Sequence, residues 1–448
     1  MTYKTSETKA EKTGVGEMLS FGGVQFATGM YMAFSSFYLM TFCTDVALIP
    51  SAITAVLLFF FPLLGVIDIQ AVGLFINRMQ FKDGKYRPYM KWCALPFAAS
   101  LAALGLAPGV SGVAGRVAYL VFILVLCDLS RTTLYTASIS MIPYLARDDE
   151  SRTKIISFSN GGAILAYIAV GTLMTPLAKF FGGGAISKGY ATTLALFAAV
   201  AAPLIFIAYF RLKEGLYSAP KGGKPPIREI YPAIARNKRI MLFLAGFCLY
   251  SMADAFKNQT AYFYVTHVMG RPDLVPGIIF AGLISPLAFQ PVIPRLLKYA
   301  RKETLIAFGL FAASCSGFLM LAIGSRPVGL IVCVVLYGVF TAIVANLVYA
   351  VVASFTDEVR ARQNFSVSEI LTSSLNLSSN VGIAISGGTA ALVMAAFGYS
   401  ALAEVQTSGA LFAIKLLYIV FTAVGLVCAG VVMTLFRKNA VIPAKNTP

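Results

Sequence analysis

The 448-residue chain is 58% apolar and only 12% charged, against about 25% charged in an ordinary soluble domain. A soluble globule of this composition would have no polar surface to cover its core. Several apolar runs exceed the roughly 20 residues that cross a hydrocarbon layer, so the expected fold class is an all-α polytopic membrane protein.

The opening tail, MTYKTSETKAEKTGVG (1–16), is polar and mixed in charge. It lacks the apolar stretch and small-residue cleavage site of a signal peptide, and none is expected. Twelve spans follow, near 17–43, 48–76, 90–110, 115–145, 154–180, 189–211, 239–268, 274–297, 303–324, 327–354, 366–396 and 410–436. An even number returns the chain to its starting side. That side collects 28 of the 36 Lys and Arg, whereas the opposite loops hold only Arg116, Lys179, Lys188, Arg271 and Arg326. The asymmetry follows the positive-inside rule, so both termini are expected to be cytoplasmic and the protein to lie in the cell membrane. The formal charge of +17 thus reports topology and not a nucleic-acid partner. Seven scattered cysteines with no CxxC pair suggest free thiols, with neither a disulfide framework nor a zinc site.

The first intramembrane charge stands in FPLLGVIDIQAVGLFIN (61–77), where Asp68 is the one carboxylate in an apolar run. A charge at the bilayer centre costs about 2.5–3.5 kcal/mol on insertion scales and usually marks function. Two readings stay open: a coupling residue for a proton or a sodium ion, or a structural partner of Arg131 or Lys257. On the fourth span Asp128 and Arg131 are spaced i, i+3, and on the seventh Asp254 and Lys257 repeat that spacing, which brings each pair onto one helix face. Each pair either neutralises itself or works; in the working reading Asp128 holds Arg131 as a donor to a solute oxygen. Glu369 opens the eleventh span, where a helix N-terminus and water account for it, and Lys415 can snorkel. The eleventh span also carries SEILTSSLNLSSN (368–380), with Asn376 and Asn380 at i, i+4. These asparagines, and Asn160 on the fifth span, serve either a cavity or interhelical hydrogen bonds.

The basic, Gly- and Pro-broken stretch RLKEGLYSAPKGGKPPIREIYPAIARNKR (211–239) follows the sixth span and divides the chain. The expected parts are a tail (1–16), a six-helix bundle (17–211), a connector (212–238), a second bundle (239–436) and a tail (437–448). The halves echo each other: CTDVALIPSAI (43–53) ends the first span and VTHVMGRPDLVPGII (265–279) the seventh. Likewise DESR (149–152) follows the fourth span and DEVR (357–360) the tenth. Such punctuation at matching places suggests duplicated halves.

The blocks FYLMTFCTDV (37–46), GLFINRMQFKDGKYRPYMKW (73–92), SMIPYLARDDESR (140–152) and AYFYVTHVMGRPDLVP (261–276) resemble the glycoside–pentoside–hexuronide:cation symporters, the melibiose-permease branch of the major facilitator superfamily. The resemblance spans nearly the whole chain. It implies twelve helices in two six-helix bundles, alternating access around a site between them, a glycoside or related sugar derivative as solute, and a coupling cation. It further implies latching between halves by the loop residues Asp83, Lys85 and Arg87, which otherwise serve as surface anchors. The chain departs from the family where the cation carboxylates stand, having Gly65, Ile69 and Tyr135, and where indoles can stack on sugar, having Ile139 and Ala345. Gln25, Asn160 and Asn380 replace an aspartate, an arginine and a lysine. Weak or absent sodium dependence is therefore expected.

The candidate solute-binding residues are Gln25, Asp128, Arg131, Tyr135, Asn160, Asn376 and Asn380, and Asp68 is the candidate coupling residue. No resident cofactor is expected. The partners are a small solute, the lipid bilayer and a coupling proton or sodium ion, with the chain acting as a monomer. Two rival functions stay open. Loss of the indole platforms fits a facilitator or proton-coupled transporter of a non-carbohydrate or amphipathic (lysolipid-like) solute. A non-transporting sensor or membrane enzyme has less behind it: His267 is the only histidine, and no Ser-His-Asp, HExxH or Walker pattern occurs.

Overall fold

The computed structural model describes residues 14–78, 86–145, 149–212, 237–324, 326–363, 368–403 and 405–439. Among these residues the secondary structure is helical, without a strand. The first half contains α1 (Val15–Phe37), α2 (Ser51–Arg78), α3 (Arg87–Leu104), α4 (Val113–Leu145), α5 (Asp149–Gly182) and α6 (Ile186–Arg211). The second contains α7 (Lys238–Phe263), α8 (Val275–Phe289), α9 (Lys302–Ile323), α10 (Pro327–Gln363), α11 (Ser368–Ala396) and α12 (408–439). Nine helices among the described residues are long and apolar enough to cross a membrane. Most of the expected connector and both tails lie outside the described residues, as do Asp83 and Lys85.

The helices are apolar nearly all round rather than on one stripe, as a chain in hydrocarbon requires. Phe60, Phe122, Leu165, Phe210 and Leu392 stay exposed, a surface suited to lipid. Inside each half small residues let backbones approach. A β-carbon at Gly162 of α5 would run into the Gly22 carbonyl of α1, so only glycine fits that crossing. Gly162→Ala is expected to force α1 and α5 apart and lower the melting temperature in detergent, since overpacking costs about 1–3 kcal/mol. An unchanged melting temperature would show that the crossing is loose.

The two halves meet at the ends of their helices remote from the termini. There Gly387 and Gly388 of α11 face Leu58 and Phe59 of α2, and Gly171 of α5 faces Ile279 and Leu283 of α8. The half-to-half echo noticed in the sequence has a structural counterpart. α1 runs on into a π-helical turn, Phe42–Val46, and α7 into another, Tyr264–Val268. In the matching triplets Thr44-Asp45-Val46 and Thr266-His267-Val268 the middle residues are Asp45 and His267. Both reach the hydroxyl of Tyr399, which donates to Asp45 Oδ1 at 2.8 Å and lies 3.3 Å from His267 Nε2. A contact between first and second halves is thus built on the repeat. On the terminus side, by contrast, Tyr135, Tyr349, Asn160 and Asn376 are exposed.

Candidate functional site

Two clusters of polar side chains lie deep in the helix bundle. The first belongs to the N-terminal half. On α4 the i, i+3 spacing brings Arg131 onto Asp128: Nε donates to Asp128 Oδ1 at 2.8 Å, and Nη2 lies at ion-pair distance from the same oxygen, 2.8 Å. Nη2 also donates to Thr132 Oγ1 at 2.9 Å. Asp128 is only 5% exposed, so the ion pair compensates a carboxylate that water cannot reach.

α2 adds a second carboxyl to this pair. It passes α4 at Gly65, where a β-carbon would stand 3.5 Å from Asp128 Oδ2. One turn further on, Asp68 sits within hydrogen-bonding reach of Asp128 and within the field of Arg131. Tyr31 of α1 closes the group beside Asp68, Asp128 and Arg131. Its hydroxyl is buried and has no hydrogen-bond partner among the described residues. The neighbour of Asp68 is therefore another carboxyl, with Arg131 behind it, and not Lys257. Two carboxylates and one guanidinium leave this cluster one negative charge in excess when both acids are ionised. A proton or a small cation shared between the carboxyls would cancel that charge.

The second cluster lines a cavity of about 240 Å³ between the halves. Its walls include Phe37 and Tyr167 from the first half and Asp254, Lys257, Asn258 and Tyr337 from the second. Asp254 accepts hydrogen bonds from Asn258 Nδ2 at 2.8 Å and from the Tyr337 hydroxyl at 3.1 Å. Lys257 Nζ lies 4.5 Å above the Tyr337 ring, and no carboxylate among the described residues is within ion-pair distance of it. Of the two readings left open for this pair, direct contact at ion-pair distance is not seen among the described residues. The same spacing gives a different result because Asn258 and Tyr337 hold Asp254 in place. Tyr167 connects the clusters: it packs edge-on against Phe37, 5.9 Å between ring centres, and feels the charges of both Arg131 and Asp254.

The residues singled out from sequence are distributed unevenly over these sites. Asp68, Asp128 and Arg131 come together. Gln25 is buried and spends its amide on Ser138, donating from Nε2 at 3.0 Å; this ties α1 to α4 within one half. Tyr135, Asn160 and Asn376 are exposed and Asn380 is half-buried on the terminus-side stretches of their helices, and none of the seven candidates lines the cavity. Arg87 anchors α3 to α6: its Nε donates to the Tyr209 carbonyl at 2.8 Å, and its guanidinium lies 4.6 Å above the Tyr209 ring. Ala345, where the family can carry an indole, does line the cavity. The residues that sequence reasoning missed as site members are Tyr167, Asn258 and Tyr337. Asp254 and Lys257 were visible as intramembrane charges, but tyrosines and an asparagine in apolar runs carry no comparable signal.

The sequence matches the MFS/sugar transport protein family over residues 20–439. The chain belongs to this family. It is 25% identical over 433 residues to the isoprimeverose transporter of Lactiplantibacillus pentosus, covering 95% of this chain and 89% of that one. It is 20% identical over 422 residues to a putative glycoside/cation symporter, YagG, of Escherichia coli, covering 94% and 91%. Among solved structures, a bacterial homologue of the human lysosomal transporter Spinster superposes with a TM-score of 0.71 at 12% identity, covering 95% and 96%. The likeness to that structure shows a shared fold. The protein is a multi-pass membrane transporter and not an enzyme.

Proposed function

We propose that this transporter couples the movement of a glycoside-like solute to a proton held between Asp68 and Asp128, with the solute in the cavity between the halves. The observation that carries this reading is the Asp68–Asp128–Arg131 group: two carboxyls in contact and one guanidinium, in a family of secondary transporters. The relatives' names, an isoprimeverose transporter and a glycoside/cation symporter, give the solute class and the presence of a coupling cation. Asp128 already spends one oxygen on Arg131, which leaves few ligands for a metal ion and favours a proton. The cavity, about 240 Å³, is below the roughly 300–1,000 Å³ of sites for drug-sized ligands, which favours a solute of one or two sugar rings at most.

Alternating access follows from the arrangement. The halves touch at the ends remote from the termini, through α2 with α11 and α5 with α8, and the positive-inside charge bias makes that the outer side. This conformation is then the one that faces the cytoplasm, with both termini in the cytoplasm and the cell membrane around the bundle. One chain supplies both walls of the cavity, so a monomer suffices.

Reconstituted into liposomes, the protein is expected to accumulate a labelled glycoside under an inward proton gradient, with no stimulation by sodium. Isoprimeverose and the methyl glycosides of single sugars form the panel. Accumulation that needs sodium and ignores the proton gradient would overturn the coupling assignment. Transport of none of the panel would overturn the solute class.

A further inference from the structure

We infer that the hydroxyl of Tyr31 is the third member of the coupling site: it donates to the Asp68–Asp128 pair once the shared proton has left, and so eases release of that proton. This rests on the reading above that those two carboxyls hold the proton. Tyr31 stands on α1 and is only 1% exposed. The charged and titratable groups around it are Asp68 of α2 and Cys127, Asp128 and Arg131 of α4. Among the described residues its hydroxyl has no hydrogen-bond partner, although carboxyls stand beside it. A buried hydroxyl without a partner carries a penalty that phenylalanine would avoid at nearly the same volume. The question is which state of the site relieves it.

The described arrangement is that of a loaded pair. Two carboxyls in hydrogen-bonding contact share a proton, because two ionised ones at that distance repel, and Asp68 is in such contact with Asp128. The Asp128 oxygen that Arg131 does not engage, Oδ2, is the one turned to α2 at Gly65. When the proton passes to water, this oxygen and the Asp68 carboxylate lose a hydrogen bond and gain a repulsion. The other groups nearby are committed. Arg131 donates from Nε to Asp128 and from Nη2 to Thr132. The Cys127 thiol is a weak donor and is turned to Ser100 of α3. Tyr167 of α5, which feels Arg131, has Ser36 for its hydroxyl. That leaves the Tyr31 O–H as the unspent strong donor beside both carboxylates. It donates a hydrogen bond and transfers no proton of its own. A donor that is engaged only by the ionised pair stabilises the ionised form, which loosens the hold on the proton in the conformation open to the cytoplasm.

The test follows the protonated carboxyl of the pair by infrared spectroscopy of the purified full-length protein as the pH is raised. The titrating band that Asp68→Asn removes is the pair's. Tyr31→Phe is expected to move the pH at which that band is half lost upwards by about one unit, a roughly tenfold tighter hold on the proton. Melting temperature gives a second readout, whose sign depends on pH. Below the titration the variant is expected to melt at or above the wild type, because an unpartnered hydroxyl has gone. Above it the variant is expected to melt lower, because the ionised pair has lost its donor. An unmoved midpoint would overturn the role of Tyr31 and leave the proton with Asp68 and Asp128. A variant that melts lower by the same amount at every pH would do the same, since that is the mark of a packing role. A spectrum in which Asp68→Asn removes no titrating band would remove the coupling reading and this inference together.

Discussion

Asp68→Asn is expected to abolish energised accumulation of solute while leaving exchange of internal for external solute intact. Exchange needs the solute site and the conformational change but no net movement of ions, whereas accumulation needs the titrating acid. The asparagine keeps the size of the side chain and can still hydrogen-bond Asp128, so the contact between α2 and α4 persists. The structure also argues against misfolding of this variant: Arg131 keeps its partner, since its hydrogen bond and its ion-pair contact both go to Asp128, at 2.8 Å. Asp128→Asn is the contrasting case. It removes the direct partner of a buried guanidinium, and breaking a buried pair on one side costs about 3–5 kcal/mol. That variant is expected to express poorly and to lose accumulation and exchange together. Both are read in the same liposomes, by uptake under a proton gradient and by counterflow. Asp68→Asn protein that still accumulates solute against its gradient would show that the coupling proton is carried elsewhere.

The contrast explains how much of this site could be read from the sequence. Asp128 and Arg131 were legible as a pair because they are local: the helix geometry that spaces them also makes them meet. Asp68 was legible as unusual, because a carboxylate in an apolar run is costly wherever it goes. Its neighbour was not legible, since Asp68 reaches Asp128 only through the approach of α2 to α4 at Gly65, a tertiary fact. Asp254 and Lys257 show the limit of local reasoning. They have the same spacing, yet Tyr337 is 83 residues away from Asp254 in the chain and takes its carboxylate. Gln25 was placed by resemblance at a solute position, but Ser138, 113 residues on, takes its amide. The fold was more legible than the site because lipid sets the length and composition of every helix individually, whereas a site depends on which helices cross.

The proposed coupling requires that the two clusters respond to one another, and Tyr167 lies between them. It stands on α5 within the fields of Arg131 on one side and Asp254 on the other, and its ring forms part of the cavity wall. In the proposed coupling, a proton added between Asp68 and Asp128 changes the field of Arg131 that Tyr167 feels. Coupling of this kind is reciprocal by thermodynamic necessity: a proton that tightens solute binding is itself held more tightly when solute is bound.

The second large effect is expected at the outer closure. Tyr399→Phe removes the hydroxyl that donates to Asp45 Oδ1 at 2.8 Å and lies 3.3 Å from His267 Nε2, while leaving the ring and its edge-on packing on Phe263, 5.4 Å between centres. Among the described residues the half-buried Asp45 then keeps Thr44, at 2.7 Å, and a partly satisfied acid away from water costs about 1–3 kcal/mol. That penalty falls on the closed outer face alone, because opening separates Asp45 in the first half from Tyr399 in the second and returns both to water. A shift of about 1–3 kcal/mol moves the balance between conformations roughly 5- to 150-fold towards the outward-facing one. A reporter is available in Ala55, which is 7% exposed and lies where α2 meets Gly388 of α11. In a background with the seven native cysteines replaced, Ala55→Cys should react slowly with an impermeant maleimide applied from outside. Adding Tyr399→Phe should speed that labelling by at least severalfold and slow net transport, since each cycle must close the outer face again. Labelling that does not change in the double variant would mean that the outer seal rests on the apolar packing of α2 with α11, and that the hydrogen bonds built on the two matching π-helical turns contribute nothing to it.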